Sequence, residues 1–118
     1  MDRDLWCRQL FESIDAKRTQ EFVAFLAPDA VFRFGSAASV HGVAAIAAAV
    51  ERFFASITAL SHQVLDLWEP AGHVICRGEV TYRRLDGKVV QIPFCDVIKI
   101  RAEKIVRYDI YLDQTPLG

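Results

Sequence analysis

The chain has 118 residues, 53% of them apolar and 25% charged, with a net charge of −1. That is the length of one domain, and eight Phe, three Tyr and two Trp supply a core. The near-neutral balance, with no basic run, gives no electrostatic ground for a nucleic-acid or anionic-membrane partner, and no stretch approaches the ~18 uninterrupted apolar residues that span a bilayer. The opening MDRDLWCRQL places acids where a secretory leader would be basic and then apolar, so a cytoplasmic protein is expected. Cys7, Cys76 and Cys95 are odd in number and lack metal-ligand spacing, so they read as reduced, mostly buried thiols.

Residues 3–16 set Leu5, Trp6, Gln9, Leu10, Ser13 and Ile14 near one stripe, which predicts a first helix. Thr19 suits an N-cap for a second helix over 20–27, which buries Phe22, Val23, Phe25 and Leu26 and is stopped by Pro28. A short strand over 30–34 puts Phe32 and Phe34 on one face, and the small, polar 35–40 reads as a loop. Gly42 opens a third helix over 43–57, whose alanine run favours helix and lets it lie close to a sheet. Four strands follow, over 61–68, 74–85, 89–100 and 105–112, joined at Glu69-Pro70-Ala71-Gly72, at Asp86-Gly87 and at 101–104. Helices followed by a run of hairpins predict an α+β fold in one domain over 1–118: a cone-shaped, curved antiparallel sheet with three helices from the N-terminal half enclosing a pocket.

The stretch 89–101, VVQIPFCDVIKIR, alternates at period two. One face is Val90, Ile92, Phe94, Asp96, Ile98 and Ile100, apolar but for one carboxylate. A carboxylate on a buried face is costly unless it is paired, hydrogen-bonded or neutral, which marks Asp96 as the leading site candidate. A two-residue loop at Asp86-Gly87 places Arg77 opposite Asp96 and Glu79 opposite Phe94. The preceding hairpin then sets His62 opposite Glu79, so that His62, Arg77, Glu79 and Asp96 share one inward face. The final turn, with a bulge, sets Ile110 beside Asp96 and Tyr108 beside Ile98. In this register the apolar set Val74, Cys76, Val80 and Tyr82 lies on the outer face, which implies a homodimer through that surface. A one-residue slip would turn every side chain over. Asp96 with Arg77 reads either as a structural ion pair or as a functional one, and His62 either as a satisfied core histidine or as a proton carrier.

The order of elements, with FVAFLAPDAVFRFG, HGVAAIAAAVERFF and PFCDVIKIRAEKIVRYDIYLD in sequence, resembles the SnoaL-like branch of the nuclear-transport-factor-2-like superfamily. The resemblance implies a cystatin-like cone with a deep apolar pocket, commonly dimeric, on a fold that hosts isomerases, epoxide hydrolases, cyclases, dehydratases and plain binding modules. It matches Asp96 to the isomerase acid that donates to an oxyanion. Phe34 stands where the isomerase base would be and Leu10 where its helix tyrosine would be. Glu79, Thr81 and Ile110 replace the hydrolase Asp-Arg-Asp set.

These readings converge on an enzyme for a small apolar carbonyl or epoxide compound, using neither metal nor organic cofactor. Asp96, its state set by Arg77, would move protons, with His62 and Glu79 as a second pair. Trp6, Leu10, Phe22, Phe32, Phe34, Phe54, Phe94, Ile98, Tyr108, Ile110 and Leu112 would line the pocket. Isomerisation, cyclisation, dehydration and hydration all suit that set. The rival readings are a hydrophobic-ligand binder and a dimerisation module with a filled pocket.

Overall fold

The computed structural model describes residues 2–118. Helix α1 (Arg3–Asp15) begins where Asp2 caps it, the Leu5 N–H donating to Asp2 Oδ1 at 3.1 Å. Helix α2 (Thr19–Val23) is shorter than the sequence suggests. Thr19 is its first helical residue, and Leu26 already belongs to strand β1 (Leu26–Phe34). Pro28 is therefore no helix stop. It lies inside β1 where the register breaks between Leu26 and Val31, at a place that tolerates a residue without an N–H. A two-residue strand β2 (Val40–His41) pairs with β1, followed by α3 (Val43–Ala55). Lys17 closes the end of α3, its Nζ donating to the carbonyls of Phe54 at 2.9 Å and Ile57 at 2.7 Å.

Strands β3 (Ile57–Trp68), β4 (His73–Arg84), β5 (Val89–Arg101) and β6 (Lys104–Leu112) form the expected antiparallel meander. The sheet order is β2-β1-β6-β5-β4-β3, and β1 joins β6 in parallel, so the curved sheet is mixed rather than wholly antiparallel. The three helices lie over its inner face, α1 packing on α2 and β3 and α3 on α2, β1, β2 and β3. Leu10, Phe22, Ile46, Val80, Ile98 and Tyr108 are fully buried between the layers. No helix among the described residues is long and apolar enough to cross a membrane.

The β4–β5 register differs from the expected one by a single residue. Cys76, not Arg77, lies opposite Asp96, and Glu79 lies opposite Pro93. The turn is the cause. Leu85, Asp86 and Gly87 form a three-residue loop, closed by Gly87 N–H to Arg84 carbonyl at 2.9 Å and Arg84 N–H to Lys88 carbonyl at 2.8 Å, with Gly87 in the left-handed region at φ 84°. The extra residue turns β4 over. Val74, Cys76, Val80 and Tyr82 face the core, while Arg77 and Glu79 are on the outer face. Arg77 pairs there with Asp66 on β3 at 2.6 Å. The ground given above for a dimer, an apolar β4 face turned outward, is thereby removed.

Gly78 sets how closely β3 can follow this register. A Cβ there would fall 1.8 Å from the Gln63 carbonyl oxygen and 3.0 Å from Val64 Cα, both backbone atoms beside the β3 bulge between Val64 and Asp66. We expect Gly78→Ala to destabilise the fold by about 3 kcal/mol, read from urea unfolding; an unchanged midpoint would mean that β3 does not lie this close.

Candidate functional site

The space between the helices and the inner face of the sheet is a cavity of about 210 Å³. Its wall is mostly aromatic. Phe22, Phe32, Phe34, Phe54, Phe94 and Tyr108 line it, with Ile110 and Leu112. Phe53 and Tyr82 complete it, and the exposed Ala37 and Ala38 lie on its rim. Trp6, Leu10 and Ile98 do not reach it: they are core residues below, Trp6 standing edge-on to Phe25 at 5.6 Å.

His62, Tyr82 and Tyr108 are the polar side chains of the wall, and His62 is the imidazole among them. It lies on β3, the edge strand of the sheet, opposite Val80, with its side chain on the cavity. Its partner is not Glu79, which faces outward, but Asp15 at the end of α1. Asp15 Oδ1 meets His62 Nδ1 at 2.6 Å, and Asp15 Oδ2 accepts the His62 backbone N–H at 2.9 Å. One carboxylate thus satisfies an edge-strand donor and fixes a ring. A carboxylate can only accept, so Nδ1 carries the hydrogen and Nε2 is left as the acceptor. The ring is held between Phe11, at 4.6 Å, and Phe94, at 5.2 Å.

Asp96 is 1% exposed, as its place on an apolar face requires. It lies beneath the cavity wall rather than in it. Tyr108 donates to Asp96 Oδ2 at 2.9 Å and itself lines the cavity. Asp96 Oδ1 has no hydrogen-bond partner among the described residues. The pairings of Ile110 with Asp96 and of Tyr108 with Ile98 are those the final turn dictates. Arg77, on the other side of the sheet, does not govern this carboxyl. Burial does, pushing it up from 3.8 to about 7 against the downward pull of His62 and of the Tyr108 hydroxyl. Among the described residues, no group of three or more His, Cys, Asp or Glu converges where a metal could be held.

Two residues of the site escaped the sequence reading, Asp15 behind His62 and Tyr82 on the cavity wall. Asp15 had one legible signal: an acid in the last turn of a helix opposes the macrodipole and calls for a compensating partner. Tyr82 had another, as part of the apolar face of its strand, which the assumed register turned outward.

The Asp96 carboxyl has a direct consequence for stability. Its folded pKa, about 7, exceeds the ordinary 3.8, so the folded state binds more protons between those values. The contribution is fully present below pH 3.8 and is lost as pH rises through about 7. Relative to Asp96→Asn, the native chain should lose stability on the order of 4 kcal/mol across that window, measured by urea unfolding at stepped pH. Parallel profiles for the two proteins would contradict it.

The comparisons with known proteins agree with this fold. A model of the SnoaL-like domain matches residues 7–108. An NTF2-like protein of unknown function from Burkholderia pseudomallei superposes with a TM-score of 0.89 at 15% identity, over 99% of this chain and 95% of that one. TerC, co-crystallised with polyporic acid, superposes at 0.83 and 14% identity over 93% of this chain and 90% of its own. An LEH-like epoxide hydrolase of M. tuberculosis does so at 0.78 and 14%, over 91% and 79%. No curated protein matches the sequence. With a family model covering most of its length, the chain belongs to the SnoaL-like domain family.

Proposed function

We propose that this chain is an acid–base enzyme acting on a small, largely apolar carbonyl compound, with His62 as the proton carrier and Asp15 as the residue that positions it. The observation that supports this is the 2.6 Å contact between Asp15 and a histidine that lines an otherwise apolar cavity. In such surroundings, Nε2 can take a proton from the carbon beside a carbonyl, and the Asp15 carboxylate stabilises the imidazolium that results. Returning that proton to another carbon is isomerisation, and returning it to a departing hydroxyl is dehydration. Asp96 acts through Tyr108: its carboxyl holds the tyrosine hydroxyl in place beneath the substrate.

The rival is a ligand-binding module, favoured by the apolar residues Phe34 and Leu10 where the isomerase residues would stand. Exchange of the α-protons of indanone in D₂O, followed by proton NMR, separates the two. We expect the native protein to accelerate exchange, His62→Gln to slow it by ~10²–10⁴-fold and Asp15→Asn by ~10–100-fold. Exchange unaffected by His62→Gln would contradict the enzymatic reading, and indanone binding without exchange would favour the module.

We also propose a homodimer through the outer sheet face, now on different residues. Trp68 and Tyr111 are 49% and 57% exposed there, and half-buried Ile75, Cys95 and Val97 lie in the rows between them. Sedimentation should show a dimer that Trp68→Glu converts to monomer, and a native chain that sediments as a monomer would contradict it.

A further inference from the structure

Tyr82 is 2% exposed and lines the cavity, yet its hydroxyl makes no hydrogen bond among the described residues. The only sealed side-chain oxygen lacking a partner among those residues is Asp96 Oδ1, so the Tyr82 hydroxyl keeps accessible surface of its own. For a side chain this enclosed, that surface is the cavity. Buried tyrosine hydroxyls are ordinarily satisfied, which leaves this one as a donor awaiting an acceptor.

We propose that Tyr82 donates a hydrogen bond to a carbonyl oxygen of the ligand, and that this contact selects small cyclic ketones and aldehydes over hydrocarbons of the same shape. The inference deepens the acid–base reading above and rests on its cavity. Four features carry it. The Tyr82 ring is held edge-on by Phe53, with centroids 5.9 Å apart and planes at 84°, so its hydroxyl has a defined direction. The other cavity phenol is committed: Tyr108 gives its hydrogen to Asp96 Oδ2 and can only accept from a ligand. His62, with Nδ1 engaged by Asp15, likewise offers an acceptor. Tyr82 is therefore the donor among these three polar groups, and burial, with the charges of Asp96 and Asp15, raises its pKa and keeps it one.

The placement suits a carbonyl beside a proton carrier. Tyr82 pairs with Leu60 and His62 with Val80, which makes Tyr82 and His62 diagonal neighbours on the inner face, with Cβ atoms roughly 7 Å apart. An oxygen at Tyr82 sets the adjoining carbons on the His62 side. Size narrows the class further. A cavity of about 150 Å³ holds benzene, and this one, at about 210 Å³, admits one further fused ring.

Indane and indanone share one skeleton and differ by the carbonyl, which makes them the test pair. Calorimetric titration should show Tyr82→Phe weakening indanone by ~5- to 10-fold while leaving indane unchanged or slightly tighter. The carbonyl stretch of bound indanone should lie lower in the native protein than in the variant. Equal effects on both probes, or a carbonyl band indifferent to the substitution, would overturn the assignment of Tyr82 and leave His62 untouched. Failure of both probes to bind would overturn it together with the cavity reading. Conversely, a Tyr82-dependent affinity for indanone without proton exchange would sustain this inference while removing the enzymatic one.

Discussion

The site depends on the grip of one carboxylate on one edge of the sheet. Asp15 ends the first helix and reaches the last strand in the sheet order, where it accepts both the backbone N–H and the ring N–H of His62. Edge strands present unpaired donors, which folded proteins cover or satisfy. Here the group that satisfies the edge also sets the tautomer of a cavity histidine. Helix α1 is thereby docked, and Nε2 is the ring atom left for chemistry. Structure and site share one interaction, with the carboxylate 25% exposed at its outer end and the histidine 10% exposed against the aromatic wall.

A second polar pair lies deeper. Asp96 and Tyr108 are diagonal neighbours across β5 and β6, and among the described residues the only donor to the carboxyl is the phenol. Desolvation outweighs both stabilising influences, so the carboxyl sits near its titration point at neutral pH. Such a pair is costly to keep in a core. Its position directly behind a cavity-lining tyrosine commits that hydroxyl to Asp96, which on the proposed reading leaves Tyr82 as the donor of the cavity.

Much of this was legible in the residues. Strict alternation over 89–101 buries Asp96 whatever lies across from it, and turn residues every dozen positions announce the meander. The register was not legible from the turn alone, because Asp86-Gly87 serves a two-residue loop and, with Leu85, a three-residue one. The strand itself held the better signal. Val74, Cys76, Val80 and Tyr82 form the more apolar face of β4, and the core takes them in preference to Arg77 and Glu79. The parallel pairing of β1 with β6 has no local signature, since it joins segments more than 70 residues apart. Nor does the Asp15–His62 contact, |i−j| 47, beyond the adverse placement of an acid at a helix end.

The wall of the cavity is mostly apolar, and on the proposed reading its three polar residues have complementary roles: one donor at Tyr82, acceptors at His62 and Tyr108. That division suits a ligand with one carbonyl and acidic carbons beside it, and it follows from which hydrogens Asp15 and Asp96 have already claimed. The proposed function therefore turns on the tautomer of His62. Nitrogen NMR of its imidazole reads this directly. The neutral ring should carry its hydrogen on Nδ1 in the native protein and shift toward the Nε2–H form in Asp15→Ala. A native ring protonated on Nε2 would contradict the assignment of His62 as the base.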